Sequence, residues 1–500
     1  MTNSNNGPLD GRRFFLVGIG GSGMMPLAMI LAGRGAAVEG SDRGLDQGRV
    51  PAKFAALEAL GIRLHPQDGS GIVSREQIVV ASTAVEDDVA DIVAANRLGC
   101  PRKSRAQLLS DLFNQSGTRI GVAGTSGKST VTGMIGWIFH ATGRDPTVMN
   151  GAVMTNFAHA DAPFASALVG AGTAFVSEVD ESDGSIALYR PDIAVLNNVS
   201  LDHKALDELR QLFGDFAGKA RCVVANVGDA ETAALVAGMD RTLTFAVEGE
   251  ADLVAEALTP EPFAIGFDLV VRSPSPFGRF ASSSLSRRER EGAPEARKAE
   301  GVDRMRVRLV VPGRHNVANA LAAIGAAVAA GVPLDEAARA IEGFTGLKRR
   351  FEKVGEAHGV TVIDDFGHNP DKIGATLDTL HAFPGRLLLL FQPHGYGPLK
   401  VMRAELVDSL AARMAAEDML VLPDPVYFGG TVAREVTSAD IVADLTARGR
   451  DARHVPDRAA AAAMLIAAAR PGDRIVVMGA RDDTLGVLAR DMVERLHAKT

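Results

Sequence analysis

One heptapeptide narrows the choice of fold more than any other feature of the chain: Gly124-Thr125-Ser126-Gly127-Lys128-Ser129-Thr130. It follows the apolar run 120–123 and precedes a stretch in which Val131, Met134, Ile135 and Ile138 recur at the spacing of one helix face. Strand, glycine-bearing turn and helix in that order present unpaired backbone N–H groups and the positive end of a helix dipole to a phosphate. Lys128 then reaches the β- and γ-phosphates, and the Ser129 hydroxyl is a hard oxygen ligand for Mg2+. The common phosphate loop has a glycine five residues before its second glycine; that place is Val122 here, so the turn is a variant of the pattern.

The same alternation runs along all 500 residues. Nearly continuous apolar runs at 14–19, 78–81, 120–123, 174–177, 193–197, 222–226, 307–311, 360–364, 387–391, 419–422 and 474–478 read as parallel strands buried on both faces, with a further strand at 37–39. Helical patterns fill many of the gaps, the longest an Ala-rich stretch over 317–341. The expected class is α/β, with open parallel sheets in three domains over 1–116, 117–343 and 344–500. Polar or glycine-bearing breaks at 114–117 and 343–349 set the boundaries, and the Ser/Pro/Arg/Glu-rich segment 272–304 reads as a flexible insertion.

Composition removes several classes of function. Lys plus Arg number 53 against 61 Asp plus Glu, a net charge of −8, so a general binder of nucleic acid or anionic membrane is not expected. Two cysteines, Cys100 and Cys222, exclude a disulfide framework and the common four-ligand zinc sites. The polar residues 1–10 and the short run 14–19 do not resemble a signal sequence, and the Ala-rich stretch 459–469 is too short to span a bilayer. A soluble, cytoplasmic protein is expected.

Further motifs fall at strand ends, where open α/β sheets bind ligands. Gly18-Ile19-Gly20-Gly21-Ser22-Gly23 follows the first strand, and Asp42 follows the second. Read alone, these fit dinucleotide binding or a structural tight turn. Glu178-Val179-Asp180-Glu181-Ser182-Asp183 offers carboxylates to Mg2+, although an acidic loop by itself is usually solvated. Asn197-Asn198 leads to Asp202-His203-Lys204, and Gly313-Arg314-His315-Asn316 opens the Ala-rich helix with Asn316 and Asn319 on one face. Amides suit a purine edge, while Asn316 also suits a helix cap. Lys348-Arg349-Arg350, Asp364-Asp365-Phe366-Gly367-His368-Asn369 and Pro393-His394 complete the set.

In this order, GIGGSGM with Gly40-Ser41-Asp42, GTSGKST, EVDESD, Asp202-His203, GRHNVANALAAI, KRRFE and DDFGHNP resemble the Mur ligase family of ATP-dependent amide ligases over nearly the whole chain outside 272–304. The resemblance implies a Rossmann-like N-terminal domain over 1–116 that binds a UDP-sugar, a central P-loop-type ATPase parallel sheet over 117–343 that binds ATP and Mg2+, and a Rossmann-like C-terminal domain over 344–500 that is a lid for the amino acid. It implies ligation of an amino acid, L-alanine in the nearest pattern, to UDP-N-acetylmuramate through an acyl phosphate, by a monomer or homodimer. Gly20, Gly21, Ser22 and Gly23 would grip the UDP diphosphate, with Asp42, Ser82 and Thr83 near the nucleoside. Gly124, Thr125, Ser126, Gly127, Lys128, Ser129 and Thr130 would cradle the ATP phosphates, with Lys128 on the transferred group. Ser129 and Glu178 would hold one Mg2+ and His203 a second. His315, Asn316 and Asn319 would shape the adenine and phosphate pocket, Arg350 would reach phosphate, Asp365 the ribose, and His368 and His394 the incoming amino acid. Lys219 is the nearest candidate for the carbamylated lysine of some members. The chain departs from the alanine-adding pattern at Ser126 (usually His), Ser129 (Thr), Asn369 (His) and at Gly395 and Pro398, where arginines are usual. Those departures keep open a related ligase with another acceptor, as in peptide recycling, or a nucleotide-binding homologue without turnover.

Overall fold

The computed structural model describes residues 9–83, 85–200, 205–272, 304–426, 434–480 and 482–499. Their strands form three sheets of five, ten and six strands with helices between, an α/β architecture. Residues Met1–Thr259 and Ala264–Gly346 form one compact unit, and Pro260–Phe263 with Leu347–Thr500 a second.

The five-stranded sheet is parallel and begins with Arg13–Val17, whose Phe14, Phe15, Leu16 and Val17 are buried on both faces. Ala37–Ser41 pairs on one side of it and Ile78–Ala81 on the other. The chain therefore reverses its direction of winding at this strand, the crevice in which α/β sheets bind ligands, and the first glycine turn leaves its C-terminal end.

In the ten-stranded sheet, Thr118–Ala123 lies between Ile193–Leu196 and Ala174–Glu178, all parallel. Register pairs Ala123 with Leu196 and Val122 with Glu178, so three loops leave the same edge side by side. A shared core joins the two sheets of this unit: Leu27, Ile30 and Leu31 of helix Met24–Gly33 and Phe113 of helix Arg105–Asn114 belong to one buried cluster with Phe175, Phe213 and Phe216. Phe113 meets Phe175 and Tyr189 edge-on at 5.8 and 5.2 Å, a geometry that adds roughly 0.5–1.5 kcal/mol per pair beyond area burial.

The second unit orders its strands Glu352–Ala357, Val360–Asp365, Arg474–Met478, Leu387–Phe391, Met419–Leu422 and Asp451–His454. The first pair is antiparallel and the rest are parallel. Two cores, one on each face, alternate along the strands: Leu387, Leu389 and Phe391 enter one, and Leu388 and Leu390 the other.

The Ala-rich stretch expected as one helix over 317–341 is two, Arg314–Ala329 and Leu334–Ile341. Pro333 between them lacks an N–H and cannot continue the first helix. The strand expected at 307–311 is Arg304–Leu309, which pairs antiparallel with Ala264–Val271. No helix among the described residues is long and apolar enough to cross a membrane. The segment 273–303 of the expected insertion lies outside the described residues.

Candidate functional site

The phosphate turn is built as its sequence suggests, and its side-chain partners are now visible. Gly127 has φ +82°, and a Cβ there would press on Asn197 Nδ2 and lie 2.6 Å from Asn319 Oδ1. Only glycine fits both the conformation and the space. Ser126 N donates to Asn198 Oδ1 at 2.8 Å, and Asn197 Nδ2 donates to the Ser126 carbonyl and to Asn319 Oδ1, both at 3.0 Å. Asn319 Nδ2 donates to Asn316 Oδ1 at 3.1 Å, and Asn316 Nδ2 to the Pro312 carbonyl at 2.7 Å. The two amides expected at a purine edge are thus buried in a chain that ties helix Arg314–Ala329 to the turn. Asn197 Oδ1 is buried without a hydrogen-bond partner, an acceptor left over at the base of the turn. His315 is exposed.

The acidic loop divides its carboxylates between Lys128 and Ser129 of the turn. Lys128 Nζ donates to Glu181 Oε2 at 2.8 Å, Oε1 at 3.0 Å and the Gly124 carbonyl at 2.8 Å. Ser129 Oγ donates to Glu178 Oε2 at 2.7 Å, and Asn150 Nδ2 holds the Ser129 carbonyl at 2.9 Å. Burial raises the Asp180 carboxyl, but hydrogen bonds from Ser182 and the charges of Lys128 and Arg105 outweigh it, leaving the pKa below the usual range. A hydroxyl and a carboxylate in contact are a donor set that fits a hard cation such as Mg2+. Among the described residues no group of three or more His, Cys, Asp or Glu is placed to hold a metal. His203, with Asp202 and Lys204, lies outside the described residues. Lys219 is exposed and donates to the Ala187 carbonyl at 2.8 Å.

At the first turn, Asp42 Oδ2 accepts from Gly20 N at 2.8 Å and Oδ1 from Gly44 N at 2.7 Å, so this carboxylate braces the turn. Lys53 Nζ donates to the Gly20 carbonyl at 3.1 Å. Gly21 and Ser22 are exposed, Ser82 is half-buried and Thr83 exposed.

In the second unit, Asp365 Oδ1 accepts from Phe351 N at 2.9 Å, while Oδ2 accepts from Thr376 Oγ1 at 2.8 Å and Gly367 N at 3.1 Å. Both oxygens expected on a ribose therefore also hold the backbone around them. Arg350 stacks on Phe366, its guanidinium 4.1 Å from the ring centroid. His368 and His394 meet edge-to-face at 5.3 Å. Burial, reinforced by Lys372, drives the His368 pKa down to about 3, so the ring is neutral at pH 7 while Nδ1 is 2.8 Å from the Phe366 carbonyl. Asn369 caps helix Pro370–His381 by accepting from Lys372 N at 3.0 Å. Gly395 has φ +143°, a conformation that disfavours the arginine usual there, and Pro398 lies in the first turn of helix Tyr396–Arg413.

Comparison with known proteins matches residues 14–116 to the Mur ligase family, catalytic domain, 122–327 to the Mur ligase middle domain, and 349–481 to the Mur ligase, glutamate ligase domain. The UDP-N-acetylmuramate--L-alanine ligase of Streptomyces coelicolor is 34% identical over 485 residues, 94% of each chain. The chain belongs to the Mur ligase family. The enzyme of the same name from Paracoccus denitrificans is 32% identical over 97% of this Mur ligase and 96% of its own length. Among solved structures, the UDP-N-acetylmuramate-alanine ligase of Thermotoga maritima superimposes with a TM-score of 0.74 at 24% identity, covering 98% of this chain and 100% of that one. A murein peptide ligase from Psychrobacter arcticus gives 0.67 at 23% identity, with the same coverage. Both show the three-domain Mur ligase fold. As a Mur ligase the protein is an ATP-dependent amide ligase.

Several partners in this Mur ligase site were not legible beforehand. Asn150, Lys53 and Arg105 belong to no sequence motif. Glu181 stood in the acidic cluster, but nothing in its spacing assigned it to Lys128.

Proposed function

We propose that this Mur ligase joins the carboxylate of UDP-N-acetylmuramate to the amine of an amino acid, L-alanine by likeness to its relatives, while ATP is split to ADP and phosphate. This is a cytoplasmic step of peptidoglycan precursor synthesis. We divide the work among three segments, 1–116 for the UDP-sugar, 117–343 for ATP and Mg2+, and 344–500 for the amino acid. The observation that carries the reading is the pairing of Lys128 with Glu181 and of Ser129 with Glu178 at the end of one glycine turn.

A carboxylate is a poor acylating agent because oxide is a poor leaving group. In the first step a carboxylate oxygen attacks the γ-phosphorus, the bond to the β-phosphate oxygen breaks, and ADP leaves. Both reactants are anionic, so Lys128 and the N–H groups of Gly124–Thr130 lower the repulsion and stabilise the charge on the transferred group. Glu181 holds Lys128 extended before the nucleotide arrives. Ser129 and Glu178 would hold Mg2+, which adds two positive charges beside the phosphates. In the second step the amine attacks the acyl carbon, phosphate leaves and the amine gives up a proton. Neutral His368 adds no positive charge beside the incoming amine. Arg350 would supply cationic charge for phosphate, and the acyl phosphate has to be kept from water.

The test is ADP release with UDP-N-acetylmuramate fixed and the amine varied. Release that needs the UDP-sugar, Mg2+ and an amine supports the reading; no release with any amine, from folded protein, contradicts it. A second reading, the same chemistry with a different acceptor, is favoured by Gly395 and Pro398 at the usual arginine positions. Faster turnover with a peptide or another amino acid than with L-alanine decides for it.

A further inference from the structure

Arg105 lies between the two glycine turns' surroundings and has no part in the chemistry above. It is the first residue of helix Arg105–Asn114. A reciprocal cap fixes that end: Gln107 N donates to Ser104 Oγ at 3.1 Å and Ser104 N to Gln107 Oε1 at 2.9 Å. The far end is tied to the ten-stranded sheet's loops, where Asn114 Nδ2 donates to the Leu188 carbonyl and Arg190 N to Asn114 Oδ1, both at 2.9 Å. The helix is thus held rigidly across from one sheet to the other.

Its guanidinium faces two ways. Nη1 lies against Gly23, the residue that caps helix Met24–Gly33; a Cβ on Gly23 would meet Nη1 at 2.8 Å and Cζ at 3.2 Å. Nη2 lies 3.4 Å from Asp183 Oδ2, and the other Asp183 oxygen accepts from Ser185 N at 2.9 Å. Asp183 ends the acidic loop whose Glu178 and Glu181 engage Ser129 and Lys128. One planar fork of donors therefore touches the turn expected to grip a diphosphate and the loop that arms the phosphate turn.

We propose that Arg105 is a positioning residue that couples binding of the UDP-sugar diphosphate at Gly20–Gly23 to binding of ATP at Gly124–Thr130, through its pair with Asp183. A phosphate oxygen on Nη1 orders the guanidinium, which orders Asp183 and the acidic loop. By linkage, each ligand then tightens the other by the same factor. The inference rests on the proposed function.

The test is calorimetric. Affinity for a non-hydrolysable ATP analogue with Mg2+ is measured with and without saturating UDP-N-acetylmuramate, in the parent, Arg105→Ala, Arg105→Lys, Asp183→Asn and Gly23→Ala. The parent is expected to bind the analogue at least about fivefold more tightly with the UDP-sugar present. Arg105→Ala and Asp183→Asn bring that ratio to about one, with affinity for the analogue alone within about threefold of the parent; Arg105→Lys restores part of it, and Gly23→Ala, which displaces the guanidinium, lowers it. A merely structural Arg105 would lower the melting temperature and leave the ratio intact. A parent that binds both ligands without coupling, or Ala and Asn variants that keep it, overturns the inference alone. A parent that does not bind the UDP-sugar overturns the proposed function and the inference with it.

Discussion

Replacing Lys128 by Met separates what this residue does for the fold from what it does for turnover. Glu181 is nearly inaccessible, its side chain 6% exposed, and Lys128 is 20% exposed. Removing one partner of a buried pair leaves the other uncompensated, at a cost of roughly 3–5 kcal/mol. Here the ammonium still reaches solvent, which trims the loss to about 2–3 kcal/mol. In a unit of this size that lowers the melting temperature by about 3–4 °C. Neutralising the orphan as well, with Lys128→Met and Glu181→Gln together, should restore the melting temperature to within about 2 °C of the parent. Turnover should not return. A preorganised charge on the transferred phosphoryl group contributes on the order of 100- to 1,000-fold to kcat, so both Met variants are expected at or below about one hundredth of parental ADP release. Glu181→Gln alone keeps the ammonium and should retain measurable turnover. Scanning fluorimetry and a coupled ADP assay on the four proteins give the cycle. Unchanged stability in Lys128→Met, no recovery in the double variant, or more than about a tenth of parental turnover without Lys128 would refute the reasoning.

Three other expectations follow from the same structure. Gly127→Ala must adopt a left-handed conformation at roughly 1–2 kcal/mol and displace the Asn197–Asn319 hydrogen bond, so KM for ATP should rise at least about tenfold; an unchanged KM contradicts the tight cradle. Burial raises the Asp364 pKa to about 6, against the pull of Arg349. Because the folded pKa lies above the unfolded one, its stabilising contribution is complete below pH ~4 and is lost as the pH rises through ~6. Relative to the parent, Asp364→Asn should therefore gain on the order of 3 kcal/mol between pH 4 and pH 8; a stability difference that is flat with pH contradicts this. Glu178→Gln removes charge from the Ser129 pair and should raise the Mg2+ concentration needed for half-maximal turnover at least about tenfold, while equal Mg2+ dependence removes Glu178 from the metal's surroundings.

The parts of this fold that were legible in the sequence are those set by local chemistry. The buried strands around Phe14, Ile120 and Leu387 are apolar on both faces and announce themselves as runs. The glycine turns advertise a backbone that larger residues resist. The hairpin strands Leu253–Glu261 and Ala264–Val271 passed unmarked because polar residues interrupt them, and the short edge strands Arg63–His65 and Arg102–Ser104 carry too few apolar residues to register. The Ala-rich segment read as one helix because Ala, Leu and Ile keep the periodicity past Pro333. In the site, residue types foretold the turn, while the partnerships depended on register between distant strands: Glu181 meets Lys128, Asn150 meets Ser129 and Asn197 meets Asn319 because separate loops leave one sheet edge. The resemblance puts Asp42 near the nucleoside and Asp365 on the ribose. Their backbone hydrogen bonds are long-range or turn-specific and leave no spacing signal.

The most direct measurement is a crystal structure of the protein with Mg2+ and a non-hydrolysable ATP analogue. The expected result has the terminal phosphate within hydrogen-bond reach of Lys128 Nζ and a magnesium ion bound by Ser129 Oγ, with the Glu178 carboxylate beside it. A triphosphate seated on any other loop, or one whose terminal group lies beyond the reach of Lys128, contradicts it.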